Sequence, residues 1–262
     1  MRLTVLCLLS LALGTPAVAT PIAVDLMDWE PNGGTWVLGP DNQSVSQDTN
    51  SPTIAFHSND NRIGTRISGT VIVETTEDDD FWGFVLGYQD GDLNDGPDNA
   101  DIDYILIDWK QAEQGGWDPG IAVSRVTGNI WSIGSGSPAL DADAWTHTGD
   151  VAFVTRSNAP GANFANTGWA DQTEYSFVLD YTRARIQLQI DGQVEIDIRP
   201  GDVGLARFPE GSFGFYGFSQ PDVRYAELVQ EKSPFAAVPL PAGLPLILAG
   251  MGALALAGRR RG

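Results

Sequence analysis

The sequence predicts an all-β domain built as a two-sheet sandwich, and three observations carry that expectation. About a dozen short apolar runs follow strand-like patterns. Glycine is frequent, at 30 residues, as a fold with many turns requires. No long helix-forming run interrupts the middle of the chain.

The strands follow in order. "TRISGTVIVET" sets Ile67, Val71 and Val73 among polar neighbours, the two-residue period of a half-buried strand. "FWGFVLGY" and "YILIDW" are continuously apolar, as central strands are. The stretch from Gly115 to Asn166 is rich in Gly, Ser and Asn and reads as long loops over one face. "EYSFVLDYT" puts Tyr175, Phe177, Leu179 and Tyr181 on one side. "ARIQLQIDGQVEIDIR" is a hairpin: Ile186, Leu188 and Ile190 alternate outward, and Val194, Ile196 and Ile198 alternate on the return. Asp191-Gly192 between them suits a type I′ turn, whose central residues both take positive φ. "SFGFYGFSQ" and "VRYAELV" supply two final strands.

The ends read as targeting segments, giving three parts: 1–19, 20–232 and 233–262. Residues 1–19 combine Arg2, an apolar run from Leu3 to Leu13 and the small-x-small site Ala17-Val18-Ala19, the pattern of a secretory signal peptide. Cys7, the one cysteine, lies inside it, so the expected mature protein has no disulfide. In the C-terminal part an apolar stretch from Val238 is long enough for a transmembrane helix and is followed by Arg259-Arg260-Arg261. With its motif Val238-Pro239-Leu240-Pro241-Ala242, this part resembles the VPLPA variety of PEP-CTERM sorting tails of Gram-negative bacteria. The resemblance implies display at the cell surface or in the extracellular matrix, processing by an exosortase-type membrane enzyme, and membrane contact only through this helix.

Charge narrows the partners. The chain carries 15 basic and 34 acidic residues. Four of the basic residues and none of the acidic ones lie in the two end segments, which leaves the middle at −23. Such a surface repels nucleic acid and attracts divalent cations. The acid is concentrated. "DGDLNDGPDNADID" holds six aspartates in fourteen residues. Asp90, Asp92, Asn94, Asp95, Asp98, Asn99, Asp101 and Asp103 offer the oxygen ligands that calcium takes in sets of about six to eight. The spacing departs from the EF-hand pattern, with Asp95 where the glycine belongs and Asp101 where the bidentate glutamate belongs. A solvated acidic loop is the alternative. Asp78, Asp79 and Asp80 form a second cluster at a strand start, expected across a hairpin from Asp103. Strand alternation would let two of the three share an ion.

The blocks "EDDDFWGFVLGYQ", "YILIDWKQ", "AWTHTGD", "NTGWADQTEYSFVLDY" and "GSFGFYGFSQPDVRYAEL", in this order, resemble the thrombospondin C-terminal domain. That resemblance implies a jelly roll of the concanavalin A, or L-type-lectin, kind, together with extracellular location, calcium binding and adhesion. Asp78–Asp80 match it residue by residue. The cysteines of the animal members and their preceding calcium-wrapped repeats are absent, and Asp90–Asp101 reads as an insertion.

The expected function is therefore a non-catalytic calcium-binding module that attaches to an extracellular polysaccharide or a cell-surface component. Two alternatives stand beside it. One is a glycoside hydrolase using Glu195 and Asp197, although Arg199 and Pro200 occupy the place of a third acid. The other is a purely structural matrix protein. His57 and His147, the two histidines, lack the spacing of a zinc site. No Gly-Lys-Ser/Thr loop, G-x-S-x-G elbow or cysteine nucleophile is present. Of the tryptophans, Trp82 and Trp109 sit in strands and are expected in the core. Trp117, Trp131 and Trp169 sit in looser segments, where they either stack on sugar rings or fill loop packing.

Overall fold

A computed structural model describes residues 20–50, 53–92, 101–128, 130 and 143–236. Among these residues fifteen strands, numbered in chain order, form two antiparallel sheets. The first sheet runs β13 (Gln193–Ile198), β12 (Ile186–Ile190), β11 (Tyr175–Tyr181), β6 (Thr65–Val73), β15 (Val223–Lys232), β4 (Val45–Gln47), β3 (Trp36–Leu38), with β1 (Ile22–Ala23) paired to the far half of β15. The second runs β10 (Val151–Arg156), β9 (Gly120–Val126), β8 (Tyr104–Lys110), β7 (Phe81–Tyr88), β14 (Ser212–Phe218), β5 (Ile54–His57), β2 (Glu30–Asn32). One short helix, α1 (Asp143–Thr146), follows β9. The expected signal peptide and the C-terminal tail from Val238 lie outside the described residues, as do Asn94, Asp95, Asp98, Asn99 and Trp131.

The main core fills the space between the sheets. Phe84 meets Phe177 and Tyr225 across it, and the rings of Phe215 and Tyr225 stack at 4.0 Å. The alternating runs put their apolar members here: Ile67, Val71 and Val73 of β6 and Phe177, Leu179 and Tyr181 of β11 are all buried. Asp191 and Gly192 take φ of 49° and 77°, both positive as a type I′ hairpin turn requires.

A second apolar layer explains the continuous runs. The outer face of the seven-stranded sheet carries Phe81, Val85, Tyr104, Leu106, Tyr216 and Phe218, and α1 lays Trp145 over Phe81 and Phe218 at one end of it. All residues of β7, β8 and β14 are buried, because both faces of these strands are covered.

One expectation is corrected. The Gly115–Asn166 stretch is not all loop, since β9 and β10 extend the second sheet within it. β10 is an edge strand with a register shift and an exposed Phe153, so its alternation is broken in the sequence.

Gly83 shows how tightly the two-faced strands pack. A Cβ at this position would lie 2.0 Å from the Ile107 carbonyl oxygen, and nothing there is a flexible side-chain end. Gly192 sits in open space. Gly83→Ala is therefore expected to cost about 1–3 kcal/mol by overpacking, and Gly192→Ala roughly 1 kcal/mol through its positive φ alone. Urea unfolding of the two variants measures the difference, and equal losses would contradict this packing.

Candidate cation site

Asp78, Asp79 and Asp80 end the connection from β6 to β7 in irregular backbone. Strand alternation therefore does not apply to them. All three turn one carboxylate oxygen to a common point, each within 4.8 Å of the others, where the sequence had suggested two of the three. Calcium–oxygen bonds of about 2.3–2.6 Å put opposite ligands roughly 4.6–5.2 Å apart, so this donor set fits one such ion.

The cluster has a buried side and a solvent side. Asp80 is 4% exposed, while Asp78 and Asp79 are half-buried. The Asp80 N–H donates to Gln220 Oε1 (3.0 Å), and its carbonyl accepts the Trp169 indole N–H (3.2 Å). Its carboxylate accepts from Lys110 Nζ at 3.1 Å. Lys110 is fully buried at the end of β8. Its ammonium also donates to the Asp79 carbonyl (3.2 Å) and lies 4.5 Å from the Trp145 ring centre and 5.1 Å from that of Phe81. Asn50 donates to Asp78. Thr76, Glu77 and Gln111 join Asp78 and Asp79 around an open acidic recess on the solvent side. Burial pushes the Asp80 carboxyl up to about 6; the Asp78 charge adds to this, while Lys110 and Ser219 pull it down.

The acidic loop is elsewhere. β7 and β8 pair antiparallel, Phe81 with Lys110 and Leu86 with Ile105. Asp103, which precedes β8, therefore sits at the opposite end of the hairpin from Asp78–Asp80, and the expected juxtaposition is corrected. A strand start faces its antiparallel partner's end, which here is Lys110. Asp103 forms a two-pronged pair with Arg125 (2.7 and 2.9 Å). Asp92 is buried and accepts the Gln89 N–H (2.8 Å). Asp90 and Asp101 are exposed. Among the described residues, Asp78–Asp80 is the one acidic or histidine group of three that converges.

Glu195 and Asp197 serve the scaffold. Glu195 is fully buried, and its carboxylate accepts the Ser157 hydroxyl and the N–H groups of Asn163 and Phe164, which pins the segment after β10. Asp197 pairs with Arg185 (2.6 and 2.8 Å), which holds its carboxyl below the ordinary range. Trp82, Trp109 and Trp169 are buried, and Trp117 stacks on His147 at 4.0 Å. His147 Nε2 lies 2.8 Å from Asp108 in a buried pair. Trp169 fills loop packing rather than an exposed sugar platform, with its indole N–H on the Asp80 and Trp109 carbonyls, and no motif marks Lys110 or Gln220. A lone lysine ending an otherwise apolar strand was the available signal.

The family comparison decides the identity: residues 32–233 match the thrombospondin C-terminal region. The chain belongs to the thrombospondin C-terminal family. Cartilage oligomeric matrix protein of Rattus norvegicus is 30% identical over 184 residues, which cover 63% of this chain and 21% of that protein. Thrombospondin-2 of Gallus gallus is 28% identical over 203 residues, covering 75% and 16%. The chain thus spans about a fifth of the length of the relatives it matches. Solved structures with the same fold include the Ca2+/Man3GlcNAc-bound VIP36 exoplasmic/lumenal domain (TM-score 0.51, 15% identity, 85% of this chain and 93% of that one). A galectin-like protein of unknown function from Bacillus subtilis is another (TM-score 0.52, 10% identity, 82% and 96%). The thrombospondin C-terminal domain here is therefore a lectin-type jelly-roll sandwich.

Two outcomes follow for this site. Asp80 has a folded-state pKa above its unfolded value, so the folded protein binds the extra proton between about pH 4 and 6. With divalent cations removed, the Asp80 contribution should make stability fall as pH rises through that window, and an Asp80→Asn variant should lose that slope in urea unfolding. Glu195→Gln sets an amide donor against two backbone donors, and is expected to cost about 1–3 kcal/mol.

Proposed function

We propose that this protein is an extracellular, non-catalytic module that binds calcium at Asp78, Asp79 and Asp80 and attaches to a polysaccharide or cell-surface component. The observation that carries the reading is the convergence of three carboxylates whose inner side is already neutralised by Lys110. Two half-buried carboxylates then face solvent, beside Glu77 and Gln111, where a hard divalent cation finds oxygen ligands. Calcium bound there would supply positive charge that cancels the repulsion between Asp78 and Asp79.

Family membership supports this reading. Relatives include cartilage oligomeric matrix protein, named for the matrix of cartilage. The lectin-type fold and the net −23 of the middle segment agree with a cation-dependent surface module. Fold likeness alone does not transfer sugar binding, so the attached component is assigned only by class. The bacterial origin, the cleaved signal peptide and the exosortase-type processing of the VPLPA tail belong to the same proposal and rest on the end sequences. No helix among the described residues is long and apolar enough to cross a membrane; the proposed anchor lies beyond them.

The test is thermal unfolding of the purified protein. Calcium at ~100-fold excess over its Kd is expected to raise Tm by roughly 5–10 °C, and chelator should reverse the gain. Asp79→Asn should remove most of that response. An unchanged midpoint in chelator would remove calcium from the account. A glycan array in calcium tests the attachment, and uniform absence of binding would leave a structural matrix role.

A further inference from the structure

His57 closes β5 at the loop end of the second sheet, and its side chain is 1% exposed. The ring packs against Tyr88 at 4.9 Å. Nδ1 lies 3.1 Å from the Ser58 carbonyl oxygen. A carbonyl can only accept, so Nδ1 carries the proton. The other nitrogen, Nε2, is buried and has no hydrogen-bond partner among the described residues. In the neutral ring it presents a lone pair, and a carboxylate oxygen of Asp90 lies 3.6 Å from it.

Two electron-pair donors this close repel unless a proton or a metal cation lies between them. The 3.6 Å gap is longer than a hydrogen bond. It is close to the roughly 3.4 Å edge that joins two ligands of a tetrahedral ion with bonds of about 2.0–2.2 Å. An imidazole held by Nδ1–H on a backbone carbonyl, with Nε2 free, is also how proteins orient a metal-bound histidine. Asp90 is 76% exposed on its side chain, which leaves room for water to complete a coordination sphere.

We propose that His57 Nε2 and the Asp90 carboxylate bind a divalent cation of the zinc class. The site stands at the opposite end of the β7–β8 hairpin from Asp78–Asp80 and is independent of the calcium reading. Ligand chemistry separates the two. Calcium takes oxygen donors, and an imidazole nitrogen selects a softer ion.

The chain has two histidines, which gives the experiment an internal control. Nitrogen-15 NMR of the imidazoles is recorded on the full protein with calcium in excess, so that the carboxylate cluster is occupied. One equivalent of Zn2+ is expected to shift His57 Nε2 and to leave His147, whose Nε2 is engaged by Asp108. By calorimetry, His57→Gln should abolish zinc binding, Asp90→Asn should weaken it at least about tenfold, and Asp79→Asn should leave it unchanged. An unmoved His57 signal, or zinc binding that survives His57→Gln, overturns the proposal. So does a metal-free His57 protonated on both nitrogens at neutral pH, which would make the contact an ion pair.

Discussion

A lysine ammonium with no access to water anchors one end of this protein. Lys110 Nζ is enclosed by the Asp80 carboxylate, the Asp79 carbonyl and the faces of Trp145 and Phe81. Burying a charge is costly unless it is paired and hydrogen-bonded, so each of these groups has to be in place together. Asp80 in turn receives Gln220 on its N–H and Trp169 on its carbonyl. One buried pair thereby fixes the start of β7, the end of β8, the turn after β14, the helix α1 and the segment before β11. In a fold without a disulfide, that is how distant parts of the chain are held at one edge of the sandwich.

The second constraint is the covered outer face of the seven-stranded sheet. Phe81 and Phe218 are sealed beneath Trp145, and Tyr216 is buried in the same layer, so β7, β8 and β14 have apolar cover on both faces. The chemistry is displaced to the two ends of the β7–β8 hairpin. One end collects carboxylates around a lysine, and the other brings an imidazole to a carboxylate.

The fold was legible where the strands are long. Ile67 to Val73 and Tyr175 to Ile198 carry the two-residue period because one face packs its apolar side chains into the core and the other carries polar ones, some in solvent and some, such as Asp180 and Glu195, buried with hydrogen-bond partners, and Asp191-Gly192 marks its turn without help from the rest of the chain. β2, β3 and β4 have three residues each, too short for any period to register. The candidate site was legible in its residues and not in its geometry. Three adjacent aspartates mark a cluster of oxygen donors. Their convergence follows from irregular backbone, and their neutralisation on the buried side comes from Lys110, thirty residues away. Glu195 carries the converse lesson. Its Glu-x-Asp spacing suggested an acid pair, but burial beneath the Asn163–Phe164 backbone makes it an acceptor for main-chain donors, which no local pattern records.

The central claim is that an internal ammonium and an external divalent cation divide the charge of one aspartate cluster. Anomalous diffraction from crystals grown in excess calcium tests it most directly. The account predicts a single peak about 2.3–2.6 Å from oxygens of Asp78, Asp79 and Asp80, with Lys110 still bonded to Asp80. A cluster without a peak, or a peak in the place of a displaced Lys110 ammonium, would contradict it.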